Sequence, residues 1–253
     1  MKKIAVIMFP GNNCEEETAR AVRAVGMKAD ILRWNDTKNL DTYDGYILPG
    51  GWAYEDRIRA GVIAAKDPVM KIIKKESNAG KVVLGICNGC QVLIESGIIP
   101  GLQNKVEMAL APNINPFITG YYCTWVKIKN YSKRKTAFNL TIEDDEILQI
   151  PIAHAEGRFI TKDKVLIQQL LKNDQLLFRY CDELGNIADK FPANPNGSLI
   201  NIAGVCNKKG NILAMMPHPE RASWMRQVPE MHSWGEKKGS GSKIFESIKE
   251  YLK

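Results

Sequence analysis

The chain has 253 residues, of which 45% are hydrophobic and 25% charged, so it can form a substantial core and shows no signature of disorder. Its net charge of +7 could indicate an anionic partner, but the basic residues are scattered among acidic ones, which favours a solvated surface over a nucleic-acid-binding face. The cysteines are spread from Cys14 to Cys206 without a secretory signal, and no segment is long enough to span a membrane, so we expect a cytoplasmic protein with reduced thiols.

The amino-terminal part of the chain alternates between short apolar runs and helical stretches. The runs that read as strands are Ile4–Phe9, Ala29–Arg33, Gly45–Leu48 and residues 82–86, and the predicted helices are residues 14–25, Glu55–Ala65, Pro68–Ser77 and Gly89–Ser96. This alternation predicts an α/β fold: an open, mostly parallel sheet with helices on both faces. Ligands of such sheets bind outside the carboxyl ends of the strands. Because Pro49-Gly50-Gly51 and Cys87 both follow predicted strands, we expect them to face one crevice.

After Gly101 the pattern changes to half-buried, antiparallel strands in the carboxyl-terminal half. The predicted strands are Tyr122–Lys129, Thr136–Ile142, Ile147–Ala153, Leu176–Cys181, Ile202–Cys206 and Ile212–Met216, and the predicted helices are Asp163–Lys172 and Ser242–Leu252. The chain contains no internal repeat and no linker, so we predict a single domain over residues 1–253.

A cysteine lies between two glycines directly after the apolar run 82–86. Gly85-Ile86-Cys87-Asn88-Gly89 is the thiol version of the G-x-S-x-G turn, which presents a nucleophile between a strand and a helix. Small residues flank such a nucleophile because the two backbones come close together there. The turn leaves the next backbone N–H free to bind an oxyanion, and the helix dipole favours the thiolate. The sequence therefore predicts Cys87 as a nucleophile.

A nucleophilic thiol needs a base, and the sequence has three histidines. His154 ends an extended run, and His232 lies in a polar stretch that we expect at the surface. His218 is held between two prolines, and Glu220, two residues later, can lie on the same side and fix its tautomer. These residues predict a Cys87–His218–Glu220 triad. The alternative is a buried structural cysteine and a histidine that forms its hydrogen bonds within a turn.

Three blocks of the sequence, taken in order, resemble the class I, triad-type glutamine amidotransferases. The blocks are Pro49-Gly50-Gly51, Gly85-Ile86-Cys87-Asn88-Gly89-Cys90-Gln91 and His218-Pro219-Glu220. Their order and spacing match those of the family, whose fold is flavodoxin-like. Segments that more narrowly resemble the glutaminase subunits of phosphoribosylformylglycinamidine synthase are Phe9–Cys14, Ile150–Gly157, Asn194–Ser198 and Met215–Ala222. Each block alone is a weak signal, whereas all of them in order are specific.

The resemblance implies a role for each matched residue. Cys87 would attack the side-chain amide of glutamine, and the backbone N–H groups of Gly51 and Asn88 would bind the oxyanion. His218 would protonate the leaving ammonia and then activate water, while Glu220 orients it. The substrate-binding residues implied by the resemblance are Gly50 and Gln91. It implies no metal and no cofactor in this chain, and it assigns no role to His154 or Glu156.

The resemblance also implies partner proteins. A glutaminase of this type occupies essentially the whole length, so we expect the ammonia to pass to another polypeptide. That partner would be a large (PurL-like) synthetase subunit, which uses ATP and Mg²⁺ to convert formylglycinamide ribonucleotide (FGAR) into phosphoribosylformylglycinamidine (FGAM) in purine biosynthesis. A small (PurS-like) bridging subunit often accompanies it. Nucleic acid and membrane are not expected partners.

The sequence departs from the family pattern in three places. Cys90 stands where these subunits more often carry an aromatic residue, which should change the packing behind Cys87 and leave the chemistry unchanged. The segment Ser223–Gly239 and the stretch before Asn194 are longer than expected. Each is either a docking surface for a partner or a local elaboration without function.

Other functions compete with this interpretation. Cys87-Asn88-Gly89-Cys90 is also a C-x-x-C, as in thiol–disulfide oxidoreductases, but redox chemistry does not explain the Pro-Gly-Gly turn or the Pro-His-Pro-Glu segment. Zinc binding lacks a second C-x-x-C and paired histidines. A glutaminase that serves a different ATP-dependent synthetase, or a binding relative that has lost turnover, remains an alternative.

Overall fold

The computed structural model describes residues 1–103, 105–229 and 237–253, and its centre is a nine-stranded mixed sheet. The strands of this sheet are β1 (Lys3–Met8), β2 (Lys28–Arg33), β3 (Gly45–Leu48), β4 (Val82–Ile86), β6 (Tyr122–Asn130), β7 (Ile147–His154), β9 (Leu176–Cys181), β10 (Ile202–Cys206) and β11 (Ile212–Met215). Two short strands, β5 (Ala109–Ala111) and β8 (Arg158–Ile160), form a separate antiparallel pair.

The helices are amphipathic or buried elements that pack on this sheet. They are α1 (Glu15–Ala24), α2 (Pro68–Asn78), α3 (Asn88–Glu95), α4 (Lys164–Lys172) and α5 (Ser242–Tyr251), with short 3₁₀ helices at Leu40–Thr42, Ala53–Asp56, Ala64–Lys66, Leu199–Asn201, Pro219–Ala222 and Met225–Gln227. Asp163 accepts hydrogen bonds from the first turn of α4, so it is the N-cap of the helix predicted from residue 163. Within the described ranges, none of the helices is long and apolar enough to cross a membrane.

The strand order is β2-β1-β3-β4-β11-β10-β9-β6-β7. The first five strands run parallel to their neighbours, and the pairs from β11 to β7 are antiparallel. In β3, β4 and β11 every residue is buried, as expected of strands covered on both faces. The predicted α/β fold, parallel in its amino-terminal half and antiparallel after it, is confirmed.

The register of the central strands places the predicted site residues at one edge. Leu48 of β3 pairs with Gly85 of β4, and Ile86 pairs with Met215 of β11. The residues that follow these three strands therefore emerge side by side at their carboxyl ends. The prediction that Pro49-Gly50-Gly51 and Cys87 face one crevice is confirmed.

Two predicted elements are wrong. The helix expected over Glu55–Ala65 is an irregular segment between two 3₁₀ turns, because Tyr54, Glu55, Asp56 and Ile58 all have left-handed backbones. Gly61 (φ +77°) allows this segment to lie against the backbone of α3.

The second wrong element is the strand expected over Thr136–Ile142, which forms turns instead. The Asn139 side chain accepts hydrogen bonds from both the N–H and the hydroxyl of Thr136 and closes the turn. The pair β5 and β8 was not predicted, since each strand has three residues and too little periodicity to detect.

Candidate active site

Cys87 occupies a strained turn between β4 and α3. Its backbone has φ +50° and ψ −105°, a conformation that non-glycine residues rarely adopt. The Cys87 N–H donates to the Met215 carbonyl oxygen at 2.8 Å, so neighbouring β11 holds the turn in place. A Cβ on Gly89 would lie 2.6 Å from the Leu48 carbonyl carbon, which explains why the turn needs a small residue there. The side chain of Cys87 is 5% exposed and lines a cavity of about 180 Å³.

His218 and Glu220 form a buried hydrogen-bonded pair just after β11. His218 Nδ1 lies 2.6 Å from Glu220 Oε1, and the two residues are 2% and 0% exposed. A carboxylate can only accept, so Nδ1 carries a proton, and the second ring nitrogen, Nε2, forms no hydrogen bond with the described residues. The His218 N–H donates to the Pro151 carbonyl oxygen at 2.8 Å, which anchors the backbone of the pair to β7.

The electrostatics of this pair favour the imidazolium. Burial by itself lowers the pKa of His218, but the negative charge of Glu220, with contributions from the thiols of Cys87 and Cys14, outweighs it. The net result is a pKa well above the ordinary value for histidine. His218 therefore carries a second ring proton at neutral pH, which is available for transfer to a substrate.

Three side chains converge above Gly50. A Cβ on this glycine would lie 2.8 Å from His218 Cε1, 3.1 Å from Cys14 Sγ and 3.5 Å from Cys87 Cβ. The Cys87 thiol also approaches the Ala153 carbonyl oxygen at 3.5 Å. The structure thus brings the predicted nucleophile and base together over Gly50, with the orienting carboxylate of Glu220 hydrogen-bonded to the base.

The two predicted oxyanion donors lie at the same edge. Gly51 has φ +137°, and a Cβ there would lie 2.6 Å from Asn12 Cα and 2.7 Å from the Asn13 nitrogen. The loop after β1 therefore braces this turn, and the Gly51 N–H donates no hydrogen bond to a described residue. Asn88 is the first residue of α3, so its N–H has no partner within the helix.

The predicted substrate residue Gln91 lines the cavity, but its amide is engaged within the protein. Its Oε1 accepts from Asn88 Nδ2 at 2.8 Å, and its Nε2 donates to the Glu156 carbonyl oxygen at 2.8 Å. Asn88 Nδ2 also donates to Asp56 Oδ1 at 2.9 Å, and Asn88 Oδ1 accepts from the Ala53 N–H. These bonds connect α3, the irregular segment and the loop after β7 into one wall of the cavity. Contacts of Gln91 and Gly50 with substrate stay predictions.

Sequence reasoning missed Cys14, which it placed at the start of a helix. Its thiol is buried beside His218 and accepts a hydrogen bond from Arg221 Nη2 at 3.1 Å. Arg221 Nε in turn donates to Glu17 Oε1 at 2.7 Å, which joins α1 to the segment after β11. Burial raises the pKa of the Cys14 thiol, so it stays protonated at neutral pH. Cys14 lies 73 residues before Cys87 in the sequence, so no local pattern indicated that it is part of the same site.

The other two histidines differ in their placement. His154 is buried in the cavity wall, with its Nδ1 near Asn113 Oδ1 at 3.1 Å. Burial lowers the pKa of His154 to about 3, so it is neutral at ordinary pH. His232, predicted at the surface, lies outside the described residues, as does part of Ser223–Gly239.

Cys90, the second thiol of the C-x-x-C, lies behind the Cys87 turn in the hydrophobic core. It is completely buried, and burial raises its pKa well above the ordinary value. Both Cys87 and Cys90 are free thiols. This environment makes Cys90 inert, as expected for a packing residue.

One group of side chains in the described part of the chain has the spacing of metal ligands: Cys14, His218 and Glu220. Glu220 is already bonded to His218 Nδ1, and the Arg221 guanidinium lies on the Cys14 sulfur. The positive charge of Arg221 disfavours a cation at this point.

An open α/β sheet that presents a thiol beside a buried histidine–glutamate pair is the arrangement expected of a triad-type glutamine amidotransferase. The model of the CobB/CobQ-like glutamine amidotransferase domain matches residues 1–252. The chain is 48% identical to the phosphoribosylformylglycinamidine synthase subunit PurQ of Methanothrix thermoacetophila, over 99% of this chain and 98% of that protein. It is 41% identical to PurQ of Pyrococcus horikoshii over the full length of both. The chain therefore belongs to the glutamine amidotransferase family, and within it to the PurQ subunits.

A solved structure agrees with this assignment. A chain in the structure of PurLQS from Thermotoga maritima superimposes with a TM-score of 0.78 at 33% identity, covering 100% of this chain and 99% of that chain.

Proposed function

We propose that this chain is a glutaminase subunit that hydrolyses glutamine to glutamate and ammonia through Cys87, His218 and Glu220. The ammonia passes to a partner synthetase that makes FGAM from FGAR with ATP in purine biosynthesis. The observation that carries the proposal is the convergence of the Cys87 and His218 side chains above Gly50, with Glu220 at 2.6 Å from His218. Residues 1–253 act as one amidotransferase domain.

The first half of the reaction forms a thioester. Cys87 attacks the carboxamide carbon of glutamine as the thiolate, its proton being held by His218, and the N–H groups of Gly51 and Asn88 stabilise the oxyanion. A donor of this kind typically contributes roughly 3–4 kcal/mol to transition-state stabilisation. The raised pKa of His218 keeps the ring protonated. When the oxyanion collapses and the C–N bond breaks, Nε2 of His218 delivers its proton to the departing amide nitrogen, which leaves as ammonia.

The second half hydrolyses the thioester. His218, now neutral, takes a proton from a water molecule, and the hydroxide attacks the thioester carbon. A second oxyanion collapses and expels the Cys87 thiolate with release of glutamate. Glu220 fixes the tautomer of His218 throughout, because its carboxylate accepts from Nδ1 in both steps. Thiol chemistry of this type needs no metal or cofactor in this chain.

The proposed partners follow from the family. The Thermotoga maritima relative is a chain of PurLQS. This chain binds a large (PurL-like) synthetase subunit, which uses ATP and Mg²⁺, and a small (PurS-like) bridging subunit. The complex acts in the cytoplasm.

The test is Cys87→Ala in the complex reconstituted with its synthetase. We expect glutamine-dependent FGAM synthesis to vanish and ammonia-dependent synthesis to remain, because only the supply of ammonia is lost. Cys90→Ala is the matched control: it is expected to retain glutamine-dependent synthesis within a few-fold, whereas redox chemistry at the C-x-x-C would require both thiols. Loss of both activities with Cys87→Ala, or of neither, contradicts the proposal.

A further inference from the structure

The cavity beside Cys87 is lined by two carboxylates that the proposed chemistry does not use. Asp56 and Glu156 both border it, from the irregular segment after β3 and from the loop after β7. Asp56 Oδ1 accepts from Asn88 Nδ2 at 2.9 Å, and Glu156 is tied to Gln91 through its backbone carbonyl. The hydrogen-bond network of Asn88 and Gln91 therefore holds the Asp56 carboxylate and the backbone of Glu156 at the cavity.

Neither carboxylate is paired with a cation among the residues that the structure describes. No lysine or arginine of the described ranges lies within ion-pair distance of either one. Burial raises the pKa of Asp56 to about 6; the Asn88 hydrogen bond opposes the rise, and the charge of Glu156 adds to it. Two neighbouring carboxylates at a cavity are a favourable site for a positive group from outside the protein.

The backbone conformation at Asp56 is strained. Tyr54, Glu55 and Asp56 have φ values of +56°, +59° and +51°, three consecutive left-handed residues without a glycine. Strain of this kind persists where the surrounding structure enforces a functional geometry. Here its effect is to turn the Asp56 carboxylate toward Asn88 and the cavity.

Glutamine is a primary amide that also carries an α-ammonium group. If its carboxamide lies against Cys87, the remainder of the molecule must occupy the cavity that Asp56 and Glu156 border. We propose that Asp56, assisted by Glu156, binds the α-ammonium group of the substrate and thereby restricts the site to the free amino acid. This inference rests on the proposed glutaminase function and names the specificity residues of that site.

The test compares glutamine with glutaramate, in which hydrogen replaces the α-amino group. The KM for glutamine and the Ki of glutaramate as a competitor are measured on the complex with its synthetase. Asp56→Asn should raise the KM for glutamine about 10- to 100-fold, the typical value of a charged hydrogen bond, and change the Ki less than about twofold. Asparagine tolerates the left-handed backbone, so the variant should fold.

Two further variants sharpen the test. Glu156→Gln should raise the KM about three- to tenfold, again with an unchanged Ki, because the α-ammonium group loses one of two charges. Glu55→Gln is the matched control: it lies in the same left-handed run, is exposed and pairs with Arg57, and should change neither constant.

An equal rise of KM and Ki in Asp56→Asn would assign it a structural role through Asn88 and overturn the inference. No change in KM with Asp56→Asn or Glu156→Gln would overturn it as well. An inactive wild-type complex with glutamine would instead contradict the proposed function.

Discussion

Gly50 is the position at which one added carbon should disable the site and leave the fold intact. In Gly50→Ala the new Cβ would lie 2.8 Å from His218 Cε1, whereas carbon atoms in contact are normally about 3.5–4.0 Å apart. The ring must therefore move by roughly 1 Å, and a misplacement of that size can lower a rate about 100-fold, or about 2.7 kcal/mol. The predicted result is a fall in kcat for glutamine of about that factor, with ammonia-dependent synthesis preserved.

Gly45→Ala is the control for packing. Gly45 begins the same strand, β3, at the end remote from the site, and a Cβ there would lie 3.0 Å from the Val82 carbonyl oxygen and 3.2 Å from Ile4 Cδ1. We expect a comparable loss of stability and a kcat within about twofold of wild type, since no site residue is touched. Glutamate release and thermal unfolding are measured for both variants. A Gly50→Ala protein with wild-type kcat, or a Gly45→Ala protein with an equal loss of kcat, would refute the reasoning.

Two other predictions concern charged groups of the site. Glu220→Gln removes the charge that keeps the pKa of His218 high. We therefore expect kcat to fall about 10²–10⁴-fold and the alkaline limb of the pH–rate profile to move to lower pH. An alkaline limb that does not move would argue against this role of Glu220. Asp56→Asn should stabilise the fold, because the pKa of the Asp56 carboxyl is raised from 3.8 to about 6. This rise corresponds to at most about 3 kcal/mol of destabilisation, which solvent screening reduces to about 1 kcal/mol. Because the penalty exists where the carboxyl is ionised, the gain in unfolding free energy should be absent below pH 3.8, grow between pH 3.8 and about 6, and stay constant above that. Urea unfolding at several pH values checks the sign, and a gain that is largest in acid would refute it.

The sequence predicted those features of the fold and site that local patterns encode. Apolar runs in the sequence predicted the buried strands, and the flanking glycines predicted the turn at Cys87. His218 and Glu220 were found because they lie only two residues apart in the sequence. The irregular segment was missed because its geometry depends on contact with α3, which no local pattern reports. Cys14 and Asp56 were missed for the same reason: each reaches the cavity through contacts between distant parts of the chain.

The site concentrates features that are unfavourable for stability. Cys87 and Asp56 have left-handed backbones, at roughly 1–3 kcal/mol for each such residue, and Glu220 is a fully buried carboxylate. All of them follow β3 or β4 or β11, whose residues are entirely buried, so the hydrophobic strands stabilise what the site destabilises. Stability and activity should therefore respond differently to substitution: Asp56→Asn raises stability and weakens substrate binding, whereas Gly50→Ala lowers both stability and rate. A residue whose removal stabilises the fold is there for its chemistry, and this makes Asp56 the most informative position in the cavity.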